Sequence, residues 1–306
     1  MSSRRDFLCQ LGVGAAGALL PMQSLHAARS ELPAVEAIQF GYAAITWGGD
    51  EERAIEDISA LGFPGIQLRA NVLTRYGPRP AALREQLAAH RLTFVALSSG
   101  NVSINPSAES RVVEEHVSHA RFLRDAGGLY LQLIDERPSG HEIVSADTER
   151  LGRLLTEIGK RTADLGIRVA YHPHMGSIGE KPNEIDRILD ASDPKYVGLL
   201  LDVAHYQVGG GDPVAAVRRH AERLLFLHIK NVHISAPSGN GPSYQFVELG
   251  RGSVDLPGVF AALRDVRFRG WAVVELDSVP DKTRTPKESA AISKRYLEDV
   301  IRTRVS

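Results

Sequence analysis

Six of the eleven histidines of this 306-residue sequence lie between residues 172 and 233. Two histidines and two carboxylates in this half end or follow apolar runs: His172, Asp202, His228 and Glu275. Buried carboxylates and imidazoles are costly unless they bind a cation or each other. Two imidazoles and two carboxylates together suit one divalent ion, and they leave coordination positions open for substrate oxygens. The pattern therefore predicts a metal site.

Such a site accepts manganese, cobalt, iron, nickel or zinc. A metal on a carbonyl oxygen makes the neighbouring C–H acidic and stabilises the resulting enediolate. His174 lies two residues beyond His172, so in an extended segment both share one face, and His174 is the leading candidate for the general base. His172 is expected to be a ligand or a catalytic group. Lys230 would place a positive charge beside the developing oxyanion.

Polar and aromatic side chains near other strand ends are candidates for substrate binding. His205 would orient a ligand or the substrate. Arg251 would hold a hydroxyl or carboxylate, and Glu136 and Gln67 suit hydroxyl recognition. Trp47 would either stack on a sugar face or pack in the core.

Short apolar runs alternate with longer amphipathic stretches from residue 38 onward. The predicted strands are 38–46, 65–69, 92–98, 129–134, 167–172, 197–202, 224–230 and 271–276. The predicted helices are 51–61, 80–90, 110–125, 147–165, 182–190, 213–223, 257–266 and 287–303. Eight such pairs predict a (β/α)8 TIM barrel as a single domain over 37–304. The carboxyl ends of strands five to eight would converge, and the irregular stretch 231–256 would cover the substrate.

Residues 1–28 have the pattern of an export signal. Arg4 and Arg5 precede the apolar run 11–20, which is too short to span a bilayer, and 25–28 offers a cleavage site. The arrangement resembles the bacterial twin-arginine signal. We therefore expect the twin-arginine export machinery as a partner and a periplasmic or secreted mature protein. Because that route carries folded proteins, the metal would be loaded in the cytoplasm, which favours manganese.

Composition argues against several other functions. A net charge of -1 provides no basic field for a nucleic acid. Cys9 is the single cysteine, so no disulfide within the chain is expected. Because Cys9 precedes the apolar run, a stable membrane anchor through this residue is not expected either. The expected partner is a small carbohydrate or polyol, and a homo-oligomer is compatible with the sequence.

Four segments carry a resemblance to a known family: LLLDVAH (199–205), FLHIKNV (226–232), ELGRGSVD (248–255) and RGWAVVELD (269–277). They resemble the xylose isomerase-like barrels, which include sugar isomerases, ketose epimerases, inosose isomerase, inosose dehydratase and 3-keto-glycoside lyases. The resemblance implies that Asp202, His228 and Glu275 bind the metal. It also implies a catalytic role for Glu275, since the family's epimerases use their glutamates as acid and base.

On strand five the sequence departs from those epimerases, because His172 stands where they have a second glutamate. Symmetrical epimerisation with two bases is therefore not expected. The string YHPHMGS (171–177) most resembles inosose dehydratases, which eliminate water after enolising a ketone. The resemblance implies an isomerase or epimerase, or the related dehydratase or lyase, acting on a sugar, keto-sugar or keto-inositol.

Two other functions fit the same barrel less well. A non-catalytic exported sugar-binding barrel would have no need of four metal-binding positions. A barrel of the endonuclease IV type needs three zinc ions, with more ligands on strands two to six. Here strands two and three end in Gln67-Leu68-Arg69 and Ser98-Ser99 instead.

Overall fold

Eight parallel strands close into a barrel in the computed structural model of the protein, which describes residues 38–140, 142–236, 243–303 and 305. The barrel strands are β1 (Ile38–Ala43), β2 (Gly65–Arg69), β3 (Thr93–Val102), β4 (Tyr130–Asp135), β5 (Arg168–Tyr171), β6 (Val197–Asp202), β7 (Leu224–Ile229) and β10 (Gly270–Val274). Two further strands, β8 (Asn231–Ile234) and β9 (Tyr244–Val247), form a separate antiparallel ribbon. The order around the barrel is β1-β10-β7-β6-β5-β4-β3-β2.

The helices alternate with the barrel strands and pack against their neighbours, as the fourth helix does against β3 and β4. They are α1 (Glu51–Ala60), α2 (Leu73–Tyr76), α3 (Pro80–Ala89), α4 (Glu109–Asp125), α5 (Ser145–Ala163), α6 (Pro182–Ala191), α7 (Val203–Val208), α8 (Pro213–Arg219), α9 (Leu256–Asp265) and α10 (Pro286–Tyr296). Their start signals are local. Asp212 and Thr285 accept backbone N–H bonds at the starts of α8 and α10, and a proline follows each cap.

The barrel wall is apolar on both faces, since helices cover its outside and side chains fill its inside. Every residue of β6 is buried. Gly62 and Gly166 lie just past α1 and α5 with φ of 82° and 74°. This left-handed conformation is costly for other residues, and it turns the chain from each helix into the next strand.

The predicted (β/α)8 barrel is confirmed, and each predicted strand and helix has its counterpart. Several details differ. Strand one ends at Ala43 instead of 46, because a 3-10 turn over Ala44–Trp47 follows it. The stretch 231–256, expected to be irregular, contains the β8–β9 ribbon. The short helices α2 and α7 were not predicted, since four to six residues are too few to show a helical period.

The predicted export signal, residues 1–28, lies outside the described residues. Within the part of the chain that the structure describes, no helix is both long enough and apolar enough to cross a bilayer.

Candidate metal centre and catalytic cavity

The carboxyl ends of four barrel strands bring the predicted ligands together. Asp202 is the last residue of β6 and pairs in register with His228 of β7. Glu275 follows β10, and its backbone N–H donates to the carbonyl oxygen of Ile229 (3.2 Å), which extends the sheet by one residue. The backbone N–H of His172 donates to β4 in the same way. All four side chains are buried.

Three of the four side chains form a close group. His228 Nδ1 lies 3.7 Å from Asp202 Oδ2 and 3.3 Å from Glu275 Oε1. One ligand atom from each of these residues falls within 4.8 Å of the other two. His172 belongs to a second such group, with Asp202 and His205. Its Nε2 is 3.8 Å from Asp202 Oδ2, so the two groups meet at Asp202.

Three atoms at this point have no hydrogen-bond partner among the residues that the structure describes: His172 Nε2, Asp202 Oδ2 and His228 Nδ1. Nearly all buried polar groups in proteins are hydrogen-bonded, and each group left unpaired costs about 1–3 kcal/mol. A divalent cation would give the carboxylate oxygen and an imidazole lone pair a partner. The donor set of nitrogen and carboxylate oxygen therefore fits manganese, iron, cobalt, nickel or zinc.

Local structure explains how Asp202 is aimed. Its Oδ1 caps α7 by accepting the backbone N–H groups of Ala204 and His205, each at 2.9 Å. Oδ2 then points away from the helix and into the barrel. The same turn of helix places the His205 ring beside Asp202, with Nε2 3.9 Å from Oδ2. The spacing of the LDxxH motif thus follows from helix capping.

Lys230 is fully buried among carboxylates. Its Nζ donates to Asp277 Oδ1 (2.5 Å) and Glu275 Oε1 (3.0 Å), and it lies 3.7 Å from Asp202 Oδ2. The ammonium also sits 4.1 Å from the ring centroid of Phe246, on β9. Three carboxylates surround this one ammonium, so the cluster attracts a further cation.

The site's negative potential also appears in the pKa values of its histidines. Burial lowers the pKa of His228, but the Glu275 and Asp202 carboxylates outweigh it and raise that pKa to about 9. Burial dominates at His172 and lowers its pKa to about 4. Burial raises the pKa of Glu275, yet His228 and Lys230 hold it well below its usual value. The Glu275 carboxylate is thus ionised at neutral pH, as a ligand must be.

Two buried glutamines connect the two histidines. His228 Nε2 donates to Gln67 Oε1 (2.9 Å), and Gln67 Nε2 donates to Gln132 Oε1 (2.7 Å). Gln132 Nε2 then donates to His172 Nδ1 (2.6 Å). Gln67 therefore contacts a histidine where the sequence suggested a substrate hydroxyl. Sequence reasoning missed Gln132, although a lone amide inside the apolar strand YLQLID was its signal.

A cavity of about 330 Å³ opens beside this cluster. That volume is at the lower end of the roughly 300–1,000 Å³ typical of small-molecule sites. His172, His174, Glu275 and Asp277 line it together with both glutamines. His174 is only partly buried, and its Nδ1 donates to the Met175 carbonyl oxygen at 2.8 Å. This bond leaves the Nε2 lone pair of a neutral His174 free to accept a proton.

Arg69 and Ser98 also line the cavity, and neither was proposed as a site residue. Arg69 ends β2 two residues after Gln67, so strand alternation turns both toward the barrel interior. Its guanidinium lies 3.4 Å from Glu51 Oε1. The i, i+2 pair of polar residues at a strand end was the sequence signal for it.

His205 lies within the cluster, whereas three other substrate-binding candidates do not line the cavity. Trp47 is buried in the core and donates its indole N–H to Asp57 (3.0 Å). Of the two roles that the sequence allowed, Trp47 therefore has core packing and not stacking on a sugar. Arg251 is exposed, with Nε 3.9 Å from Glu248. Glu136 is exposed just beyond β4. Their substrate roles stay predictions without support from this arrangement.

Asp135, next to Glu136, is the buried carboxylate at the end of β4. It accepts hydrogen bonds from the backbone N–H groups of Ile178 (2.9 Å) and Gly179 (3.2 Å) and from the Tyr171 hydroxyl (3.2 Å). These bonds hold the chain that follows His172 and His174. Asp135 therefore positions the loop that carries both histidines.

Comparison with known proteins agrees with the fold. Residues 55–299 match the sequence profile of a family described as Xylose isomerase-like TIM barrel. The chain belongs to this family.

Its relatives include a rhizopine catabolism protein and inosose dehydratases. The chain is 29% identical over 279 residues to the rhizopine catabolism protein MocC of Rhizobium meliloti, covering 80% of this chain and 83% of that protein. It is 27% identical over 300 residues to an inosose dehydratase of Lacticaseibacillus casei, covering 85% and 96%. Among solved structures it is similar to the IOLI protein with a bound zinc atom, with a TM-score of 0.74, 18% identity and coverage of 86% and 98%.

Proposed function

We propose that this family member is a divalent-metal-dependent enzyme that removes water from a keto-inositol or a related keto-sugar. The observation that carries the proposal is the group of unpartnered ligand atoms, from Asp202 and His228 beside Glu275, at the edge of a cavity that also contains His174. The similarity to inosose dehydratases supports the same reaction class.

Asp202, His228 and Glu275 would hold the ion. When bound, the metal supplies a Lewis acid that polarises the substrate carbonyl and stabilises negative charge on its oxygen. Manganese is the first candidate on the loading argument above, and zinc, cobalt, iron and nickel fit the same donors. The Lys230 ammonium, bonded to Glu275, adds a second fixed positive charge nearby.

His174 would perform the proton transfers. Its Nε2 takes the proton from the carbon next to the carbonyl, and the C–H electron pair forms the enolate. The enolate then expels the hydroxyl group β to the carbonyl. The departing oxygen takes the proton back from the His174 imidazolium, so that one water leaves and His174 returns to its neutral form.

The two histidines that follow β5 favour elimination over epimerisation. Epimerisation with two bases needs a proton acceptor on each face of the substrate. The segment after β5 supplies His172 and His174 where epimerases of the family are expected to have a glutamate. Among these two histidines, His174 has the free lone pair, since Gln132 donates to His172 Nδ1.

The test uses metal-loaded protein and an inosose in deuterated water. We expect loss of one water, and we expect deuterium at the carbon next to the carbonyl in recovered substrate. His174→Gln should slow both by roughly 10²–10⁴-fold while the metal content stays unchanged. His90→Gln is the matched control, because the His90 ring also bonds a backbone carbonyl through Nδ1 (2.9 Å) but lies at the end of α3, outside the residues that line the cavity.

Three results would contradict this proposal. Turnover that keeps the original hydrogen at that carbon would exclude enolisation. Loss of the metal from His174→Gln would make His174 a ligand and not the base. Recovery of an epimer without loss of water would place the enzyme among the epimerases instead.

We further propose that the protein is exported folded to the periplasm or beyond. The Arg4-Arg5 pair and the following apolar run support this. A substrate available outside the cytoplasm would then be unphosphorylated, which agrees with a neutral keto-inositol or keto-sugar.

A further inference from the structure

The hydrogen-bonded chain from His172 through Gln132 and Gln67 to His228 has a direction that follows from amide chemistry. It crosses the barrel interior between β5 and β7 by way of β4 and β2. A glutamine amide has one donor end and one acceptor end. In the contact between the two glutamines, one must present nitrogen and the other oxygen.

The two ends of the chain must therefore be unlike. If one ring nitrogen meets an amide N–H and accepts, the other meets an amide oxygen and donates. Turning both amides over exchanges the two ends but never makes them alike. A neutral imidazole that donates from one nitrogen has its lone pair on the other. Only one of His172 and His228 can therefore direct a lone pair at the metal while the chain is intact.

The surrounding contacts decide which of the two histidines directs its lone pair at the metal. His228 Nδ1 lies within 4.8 Å of ligand atoms of both Asp202 and Glu275. The group that contains His172 has His205 as its third member, and the Lys230 ammonium already lies 3.3 Å from His205 Nε2. His228 thus shares its group with two carboxylates, whereas His172 shares its group with one, and the Nε2 proton of His228 is fixed on Gln67.

We propose, resting on the function above, that Gln67 and Gln132 make His228 a metal ligand and keep His172 a neutral N–H donor to a substrate oxygen. Gln132 donates to His172 Nδ1, so the single proton of that ring is on Nε2, the atom that faces Asp202. An N–H nitrogen cannot bind the ion. A neutral imidazole held in this way can polarise a substrate carbonyl without exchanging its proton. Asp202, His228 and Glu275 then complete the protein ligands.

Nitrogen-15 NMR of the metal-free and zinc-loaded protein tests the proton positions directly, with His172→Asn and His228→Asn used for assignment. In both states we expect the proton of His172 on Nε2 and an unprotonated Nδ1, and in the zinc form we expect His228 Nδ1 bound to zinc. Zinc on His172 Nε2 would overturn the proposal. The metal-free measurement tests the hydrogen-bonded chain even if the protein proves to have no dehydratase activity.

Zinc titration of variants tests the ligand assignment. His228→Asn should weaken binding by more than roughly 100-fold. His172→Asn should weaken it by less than roughly 100-fold, because loss of an outer partner typically costs about 10–100-fold. Gln132→Glu replaces the amide by an acceptor for both neighbours, so His172 can donate from Nδ1 and offer its Nε2 lone pair. In that background His172→Asn should weaken zinc binding clearly more than in the parent.

The double variant keeps the added charge of Gln132→Glu, so it separates charge from ligation. Equal effects of His172→Asn in both backgrounds would overturn the proposal. So would a loss from His172→Asn in the parent as large as that from His228→Asn.

Discussion

Asp202 has two separate tasks, one for each carboxylate oxygen. Oδ1 caps α7 and Oδ2 faces the proposed metal. Asp202→Asn should keep the cap, because asparagine is as good an N-cap as aspartate, while the anionic ligand is lost. We expect the metal dissociation constant to rise by more than roughly 100-fold with the fold retained, as measured by elemental analysis and circular dichroism.

Asp212→Asn is the control for this substitution. Asp212 caps α8 with the same pair of backbone bonds, to Val214 and Ala215, but it is exposed. Its substitution should change neither metal content nor fold. Equal metal content in Asp202→Asn and the parent would exclude this site.

Lys230 offsets part of the negative charge of the cluster before any metal binds. Lys230→Met leaves the carboxylates of Asp202, Glu275 and Asp277 without their shared cation. The free energy of unfolding of the metal-free protein should fall by about 3–5 kcal/mol, since breaking a buried ion pair leaves uncompensated charge. Added manganese should recover part of the loss, because it binds only the folded site. Chemical denaturation with and without chelator measures both effects.

A surface lysine gives the comparison. Lys287 lies 3.3 Å from Asp57, and its side chain is 40% exposed. Lys287→Met should cost less than about 1 kcal/mol and should not respond to manganese. A loss for Lys230→Met as small as this would show that Lys230 does not compensate the carboxylates.

At the scale of elements, one carboxylate holds the loop between β5 and α6. Burial raises the pKa of Asp135 to about 6, against the hydrogen bonds that lower it. Because its folded pKa exceeds the usual unfolded value of about 3.9, the native state favours the protonated form. The contribution of Asp135 to stability is therefore fully present below about pH 4, and it is lost as pH rises to about 6.

Asp135→Asn removes this titration. Between pH 4 and pH 7 the free energy of unfolding of the parent should fall by about 3 kcal/mol relative to the variant. Urea denaturation at the two pH values measures the difference. Asp281→Asn is the control, because Asp281 is exposed and hydrogen bonds to Thr283 lower its pKa. A difference that is independent of pH for Asp135→Asn would mean that this carboxyl is ionised at no cost in the native protein.

The β8–β9 ribbon is the second element that shapes the site. Phe246, on β9, packs edge-on against the His205 ring with centroids 4.8 Å apart, and its face lies over the Lys230 ammonium. The loop after β7 therefore supplies an aromatic wall to the charged cluster. In the sequence this region is rich in glycine, serine and proline, which hides the short strands that form the ribbon.

At the scale of the whole molecule, the proposed export depends on both arginines being read as a pair. Replacing Arg4 and Arg5 together by lysine should leave the precursor inside the cell, because a lysine point charge does not reproduce the planar guanidinium. Cell fractionation and detection of the processed form measure this outcome. Arg29→Lys, beyond the expected cleavage stretch, should be exported normally. Processing and export of the double variant would show that this is not a twin-arginine signal.

The sequence by itself determined the barrel and the three residues that meet most closely in the proposed metal centre. Strand and helix patterns are local, and the convergence of parallel strand ends follows from barrel geometry alone. Asp202, His228 and Glu275 could therefore be grouped without coordinates. The contacts that orient Asp202 within the LDxxH motif are also local, since its capping bonds span only two and three residues.

Only the tertiary structure decided the partners that join distant strands. His228 and Gln67 are 161 residues apart, and Gln67 and Gln132 are 65 apart, yet they share one hydrogen-bonded chain. No local pattern encodes which amide meets which ring, so the tautomers of His172 and His228 could not be derived from the sequence. For the same reason the contact of Trp47 with Asp57 could not be derived from the sequence. Whether the Trp47 side chain lies in the core or in the cavity depends on how whole elements pack around it.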